Sequence, residues 1–194
     1  AVISRIGALT VGRRRNRHSG QSVISSNIAS IDGQVLMTGG DSHNLQTGER
    51  NFSNDATTIF NPPTNSIRSG QTMVYKRWYP SVISLFTGDK LVLGGREDKA
   101  PTPAIVPELF SKNGVWRVLM GAASDAAFGV ERANWYYPRG YQLPLAPGNV
   151  FVLGNTGKMF SLSTTAAGGA GSIVQLPQQT SLSNFTLPTV QFAP

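Results

Sequence analysis

Short apolar runs of four or five residues, each closed off by Gly, Pro, Asn or Asp, recur along the whole chain. Such runs read as strands joined by tight turns. Residues 34–38 follow the turn Asp32-Gly33 and stop at Gly39-Gly40. Residues 90–93 follow Gly88-Asp89 and stop at Gly94-Gly95, and residues 149–153 follow Pro147-Gly148 and stop at Gly154-Asn155. Each unit has an incoming strand before its turn, expected at residues 25–30, 81–86 and 140–145. A second hairpin is expected after each: residues 57–60 turning at 61–65, 109–110 turning at 112–114 into 115–119, and 158–162 turning at 168–171 into 172–176. The one helix-like stretch, residues 124–132, is short and contains Gly129. The pattern is all-β.

The spacing of these units is informative in itself. Gly39 and Gly94 lie 55 residues apart, Gly94 and Gly154 lie 60 apart, and Trp78-Tyr79-Pro80 returns as Tyr136-Tyr137-Pro138 after 58. A four-strand unit repeating at about 50 residues is the signature of a kelch-type propeller blade. A β-sandwich has no reason to repeat Tyr-Pro before one strand and Gly after the next. The chain therefore reads as a kelch-type β-propeller, with an arm at residues 1–18 and a partial propeller at 19–194. Its blades are expected at about 19–70, 71–120 and 130–180, and residues 189–194 resemble the opening strand of another. Three blades do not close a ring, which takes about four to eight, and open sheet edges need covering. The expected partners are the remaining blades or a second chain.

Composition narrows the chemistry. The 194 residues carry a net charge of +7, and Arg5, Arg13, Arg14, Arg15 and Arg17 supply five of those charges with no acid before His18. Nucleic-acid modules interleave aromatics or present a recognition helix. This arm has neither, so it reads as a solvated segment and nucleic acid is not an expected partner. There is no Cys, which removes disulfides and Cys-based zinc sites. No apolar run reaches the roughly 18 residues of a membrane span.

Several local signals read as structure. Residues 154–158 lack the first Gly and the final Ser or Thr of a phosphate loop and read as a turn. His18 and His43 have no zinc-ligand spacing, although Asp41 lies near His43. Glu97 and Asp98 are flanked by Arg96 and Lys99 in what reads as a charged, solvated loop. No Gly-x-Ser-x-Gly elbow is present, so hydrolase chemistry has no support. Asn51-Phe52-Ser53 and Asn184-Phe185-Thr186 are glycosylation sequons that matter only in a secreted eukaryotic protein.

Two passages carry a family likeness. Arg77-Trp78-Tyr79-Pro80-Ser81, running into Thr87-Gly88-Asp89 and Gly94-Gly95, resembles the galactose oxidase and glyoxal oxidase family of copper-radical oxidases. So does Trp135-Tyr136-Tyr137-Pro138-Arg139, followed by Gly148-Asn149-Val150-Phe151 and Gly157-Lys158-Met159-Phe160. The likeness is closer to the glyoxal oxidase branch, runs from about Gln21 to Pro194, and corresponds to the first part of the family's seven-bladed catalytic domain.

By this resemblance Tyr79 matches the tyrosine that ligates copper and is thioether-linked to a Cys. A phenol on Cu(II) can lose an electron as well as a proton. Metal and radical together then accept the two electrons of an aldehyde or primary alcohol, and O2 reoxidises them to give hydrogen peroxide. The resemblance also implies an extracellular protein and a small aldehyde, alcohol or carbohydrate ligand.

The departures from the family pattern are specific. The Cys would fall near Val23, Ile24 or Ser25. The stacking aromatic should follow Gly95, where Arg96 and Glu97 stand. The second Tyr and the two His ligands would lie beyond Pro194, and His18 and His43 do not occupy their positions. Copper is therefore expected in a complete protein and not in this chain alone, with Tyr79 an unmodified tyrosine facing the propeller axis. Met37 and the other Met residues are poor substitutes for the Cys. The other reading of Tyr79 is a blade-packing aromatic whose repeat partner is Tyr137. At the level of function, the alternative is a non-catalytic propeller that binds a glycan or protein through its loops.

Overall fold

The structure is a computed structural model that describes residues 22–25, 34–42, 52–97, 102–144 and 146–177. The arm at 1–18, His18, His43, Asp98, both sequon asparagines and the strand-like 189–194 lie outside the described residues. Strands β1 (Ser22–Ser25) and β2 (Gln34–Thr38) lead to a small inserted hairpin, β3 (Asp41–Ser42) and β4 (Phe52–Ser53), and then to β5 (Thr57–Asn61) and β6 (Ser66–Ser69). A second set comprises β7 (Ser81–Ser84), β8 (Lys90–Leu93), β9 (Glu108–Phe110) and β10 (Trp116–Val118). The third comprises β11 (Arg139–Gln142), β12 (Asn149–Leu153), β13 (Met159–Ser163) and β14 (Ser172–Gln175).

Each set is one four-stranded antiparallel sheet in which every strand pairs with the next of its own set. The first strands approach one another at one edge, β7 lying against both β1 and β11. This is a propeller-type arrangement of sheets, and it follows from the turn chemistry. Gly88, Gly114, Gly148 and Gly157 supply the positive φ that the tight turns need. Residues 154–158 form such a turn between β12 and β13, with Gly157 N–H bonded to the Gly154 carbonyl at 3.0 Å.

Two details differ from expectation. The first strand occupies Ser22–Ser25, not residues 25–30, whose remainder lies outside the described residues. Its Ser-Val-Ile-Ser sequence is identical to that of β7, Ser81–Ser84, so both sheets open on the same tetrapeptide. The helix-like stretch contracts to a single turn, Asp125–Phe128, with the Ser124 hydroxyl capping Ala127 N–H at 3.2 Å.

Packing follows from the stacking order. β8 reads Lys-Leu-Val-Leu and all four residues are buried. Val92 and Phe110 meet Leu36 and Ile59 of the first sheet, while Leu91, Leu93 and Leu109 meet Val150, Val152, Phe160 and Leu162 of the third. A sheet covered on both faces loses the alternation that a half-covered one keeps. Accordingly β12 and β13 alternate, burying Val150, Val152, Phe160 and Leu162. Burial of each such aliphatic side chain stabilises by about 1.5–3 kcal/mol. On the other face of the third sheet, Tyr141 and Val174 are 56% and 62% exposed, in line with the partly buried Phe151, Leu153 and Met159.

Candidate functional site

The segment entering β7 is anchored by a buried ion pair. Arg77 and Glu108 are fully buried and meet at 3.0 Å. The guanidinium also donates to the carbonyls of Gly94 at 2.6 Å and Ala104 at 3.4 Å, and to that of Val106. Glu108 in turn accepts the N–H groups of Val74 and Tyr75 at 2.8 and 3.2 Å. Burial lowers the Arg77 pKa, and the Glu108 carboxylate opposes that shift. A buried charge persists only when its hydrogen bonds are met, and this pair meets them by tying β8, β9 and the 104–106 strip to one point. Arg77 thus fixes the backbone two residues before Tyr79.

The Gly pairs hold the sheets together at the same end. Gly40 N–H donates to the Arg77 carbonyl at 2.6 Å, and Gly95 N–H donates to the Trp135 carbonyl at 2.7 Å. Arg77 and Trp135 are repeat equivalents, 58 residues apart. A Cβ on Gly39 would sit 2.6 Å from the Arg77 oxygen, and one on Gly94 would sit 2.7 Å from the Trp135 oxygen and 2.4 Å from the Pro138 ring. Glycine is required at both positions by this approach and by φ of 66° and 58°.

Tyr79 and Tyr137 stand on these anchors, both with left-handed backbones, φ 60° and 44°. Their rings are 5.3 Å apart between centroids, and Tyr136 lies 4.6 Å from Tyr79 and 4.9 Å from Tyr137. Trp78 adds a ring 4.2 Å from Tyr79, and Trp135 one 5.5 Å from Tyr136. All five are partly buried and form a continuous aromatic platform just before β7 and β11. Burial, reinforced by Tyr136 and Tyr79, pushes the Tyr137 phenol up to about 12. Arg96 pairs its backbone with Trp78 through two 2.9 Å hydrogen bonds and lays its guanidinium over the Trp78 ring at 3.9 Å. The position after Gly95 is thus filled by a cation–π stack where the family likeness implies an aromatic.

The remaining sequence candidates fall elsewhere. Glu97 is partly buried, not solvated as expected. Burial raises its carboxyl pKa against the pull of Arg77. Its carbonyl accepts the Ser53 hydroxyl, which joins the inserted hairpin to this end of the fold. Met37 packs with Val35 and Phe60.

The donors described at the platform do not fit a complete copper site. Phenols are the only ligating side chains there, no His lies among the described residues, and a guanidinium stacks beside them. Among the described residues no group of three His, Cys, Asp or Glu could hold a metal ion. Copper in an N/O site is normally held by imidazole.

The Arg77–Glu108 pair and the Arg96 stack escaped sequence reasoning. The available signal was an acid in Val106-Pro107-Glu108-Leu109-Phe110, an otherwise apolar strand that demands a buried partner.

No family model matches the chain, and no curated protein sequence matches it. Solved structures do share its fold. A fungal alcohol oxidase of the AA5 family, determined in complex with copper, superposes with a TM-score of 0.55 at 14% identity, covering 84% of this chain and 44% of that one. A protein called YjhT superposes with a TM-score of 0.57 at 15% identity, covering 84% of this chain and 52% of that one. The chain thus spans about half the length of these structures. It has the same propeller-type, all-β fold as both.

Proposed function

We propose that the chain is part of a copper-radical-oxidase-like domain, one that oxidises aldehydes or primary alcohols with O2 to hydrogen peroxide. In this reading the three sheets are kelch-type blades within residues 19–194, and residues 1–18 are a basic N-terminal arm. Tyr79 is the phenol this chain contributes to the metal centre, and the imidazole donors come from other polypeptide. The observation that carries the reading is Tyr79 itself. A bulky residue held left-handed at φ 60°, inside an aromatic platform, is the kind of backbone strain that clusters at functional sites.

Further blades, from the same gene product or a second chain, would cover the apolar face of the third sheet around Tyr141, Phe151 and Val174. That assignment agrees with the half-length coverage of the solved structures. An extracellular location belongs to the same proposal. No helix among the described residues is long and apolar enough to cross a membrane.

The test uses Cu(II) with free imidazole as a surrogate for the missing donors. A phenolate-to-copper charge-transfer band is expected in the wild-type chain and not in Tyr79→Phe. An identical band in the variant, or none in either, overturns the role of Tyr79. With copper alone, the chain should release no peroxide from glyoxal-type aldehydes or primary alcohols, and its mass should show an unmodified Tyr79. Turnover above the Tyr79→Phe background would remove the need for outside donors.

A further inference from the structure

A second site lies at the opposite end of the sheets from the aromatic platform. A cavity of about 320 Å³ opens between the first two sheets, beside the β7–β8 turn at Gly88 and the β9–β10 turn at Ser111 to Gly114. Its apolar wall is Leu36 and Ile59 from the first sheet and Phe110 from the second. The register Leu36↔Ile59↔Arg68 sets Arg68 on the face turned toward the second sheet. The register Lys90↔Phe110 sets Lys90 opposite it, and Lys112 lines the turn. Among the described residues the lining thus holds three cations and no carboxylate.

Lys90 makes this more than a basic surface. It is 3% exposed, and among the described residues its ammonium has one hydrogen bond, to the Gly88 carbonyl at 3.0 Å. An ammonium has three donors, so two of those of Lys90 have no acceptor among the described residues. The neighbouring Asp89 is committed to its turn, accepting Lys112 N–H and the Thr87 hydroxyl, both at 2.9 Å. Burial accordingly depresses the Lys90 pKa, and Asp89 recovers only part of the shift. Gln71 also lines the cavity, with its carboxamide oxygen held by Trp116 N–H at 3.0 Å. Its NH2 donors have no acceptor among the described residues. A buried cation with spare donors beside two exposed cations calls for an oxyanion.

We propose that this cavity binds a small organic acid of monosaccharide size, its carboxylate or phosphate held by Lys90, Arg68 and Lys112 and its body lying on Leu36, Ile59 and Phe110. The volume is at the small end of ligand pockets and is equivalent to roughly ten water molecules. The site is independent of the platform and of any role for Tyr79.

Calorimetric titration of the full chain with glucuronate and glucose 6-phosphate tests it, with glucose and inorganic phosphate as controls. Both acids are expected to bind saturably, glucose not at all, and inorganic phosphate about tenfold more weakly than the sugar phosphate, because it forgoes the apolar wall. Replacing both exposed cations (Arg68→Ala with Lys112→Ala) should weaken the acids by at least about tenfold without changing the melting temperature. Lys90→Met should abolish binding, and if that variant does not fold, the double variant decides. Equal binding of glucose and glucuronate, equal binding of phosphate and sugar phosphate, no saturable binding, or unchanged affinity in the double variant would each overturn the proposal.

Discussion

The backbone carbonyl of Tyr79 accepts the N–H of Tyr137 at 3.1 Å, and both tyrosines hold positive φ. Two residues 58 positions apart thus share a conformation, a hydrogen bond and a ring contact across neighbouring sheets. Each precedes a proline, whose ring disfavours right-handed α for the residue before it. The left-handed conformation therefore competes mainly with extended ones. The inter-sheet bond and the Gly-mediated approach on either side hold it in place, at a local cost of about 1–3 kcal/mol per residue.

The pKa of Tyr137 gives an alkaline signature. Burial holds it at about 12 in the folded chain, above the ordinary tyrosine value of 10.0. The neutral phenol is thus favoured by folding, and that contribution is complete below the unfolded value and lost as pH rises toward the folded one. Denaturant midpoints should fall between pH 10 and 12 in the wild type and fall less in Tyr137→Phe. Ultraviolet titration of the variant should lose one phenol that ionises near 12.

Two glycines separate conformational strain from steric clash. Gly88 has φ 88°, but a Cβ there would meet only Lys112 Cβ at 3.7 Å, so Gly88→Ala should cost the left-handed penalty alone, about 1–2 kcal/mol. Gly94 adds contacts of 2.4 Å with Pro138 and 2.7 Å with the Trp135 carbonyl. Gly94→Ala should therefore destabilise more than Gly88→Ala and loosen the second sheet from the third. Urea denaturation and amide exchange at Gly95 measure the two effects.

Breaking the buried ion pair should be the more severe change. Glu108→Ala strands the Arg77 guanidinium in the interior and removes the acceptor for Val74 and Tyr75 N–H, a loss of about 3–5 kcal/mol. Replacing Arg77 and Glu108 together by Met and Leu should recover only the part due to the stranded charge, because the Val74 and Tyr75 N–H groups and the Gly94, Ala104 and Val106 carbonyls still lose their partners. A double-mutant cycle in chemical denaturation reads the coupling.

Arg96 tests the stack beside the platform. Arg96→Leu should cost about 0.5–2 kcal/mol, and Arg96→Lys should restore only part, because an ammonium lacks the planar face that lies 3.9 Å from the Trp78 ring. Thermal melts give the energies. Acrylamide quenching of Trp78, in a background lacking the other Trp residues, reports the loss of cover.

The architecture was legible because it is written in local chemistry. Glycines at turns, β-branched runs and a Tyr-Pro returning after 58 residues each constrain the chain within a few residues, and their repetition forces repeated sheets. The inserted hairpin β3–β4 was not legible, since Asp41-Ser42 and Phe52-Ser53, which pair in the fold, carry no strand signal in sequence. Nor was the site as assembled. Arg77 meets Glu108 across 31 residues, Arg96 lies over Trp78, and Lys90 shares a cavity with Arg68 and Lys112, although all but Glu108 read in sequence as ordinary surface charges. Short-range order follows from the φ/ψ each residue tolerates. Which charges become buried, and beside what, depends on how sheets distant in sequence stack, and only the folded chain decides that.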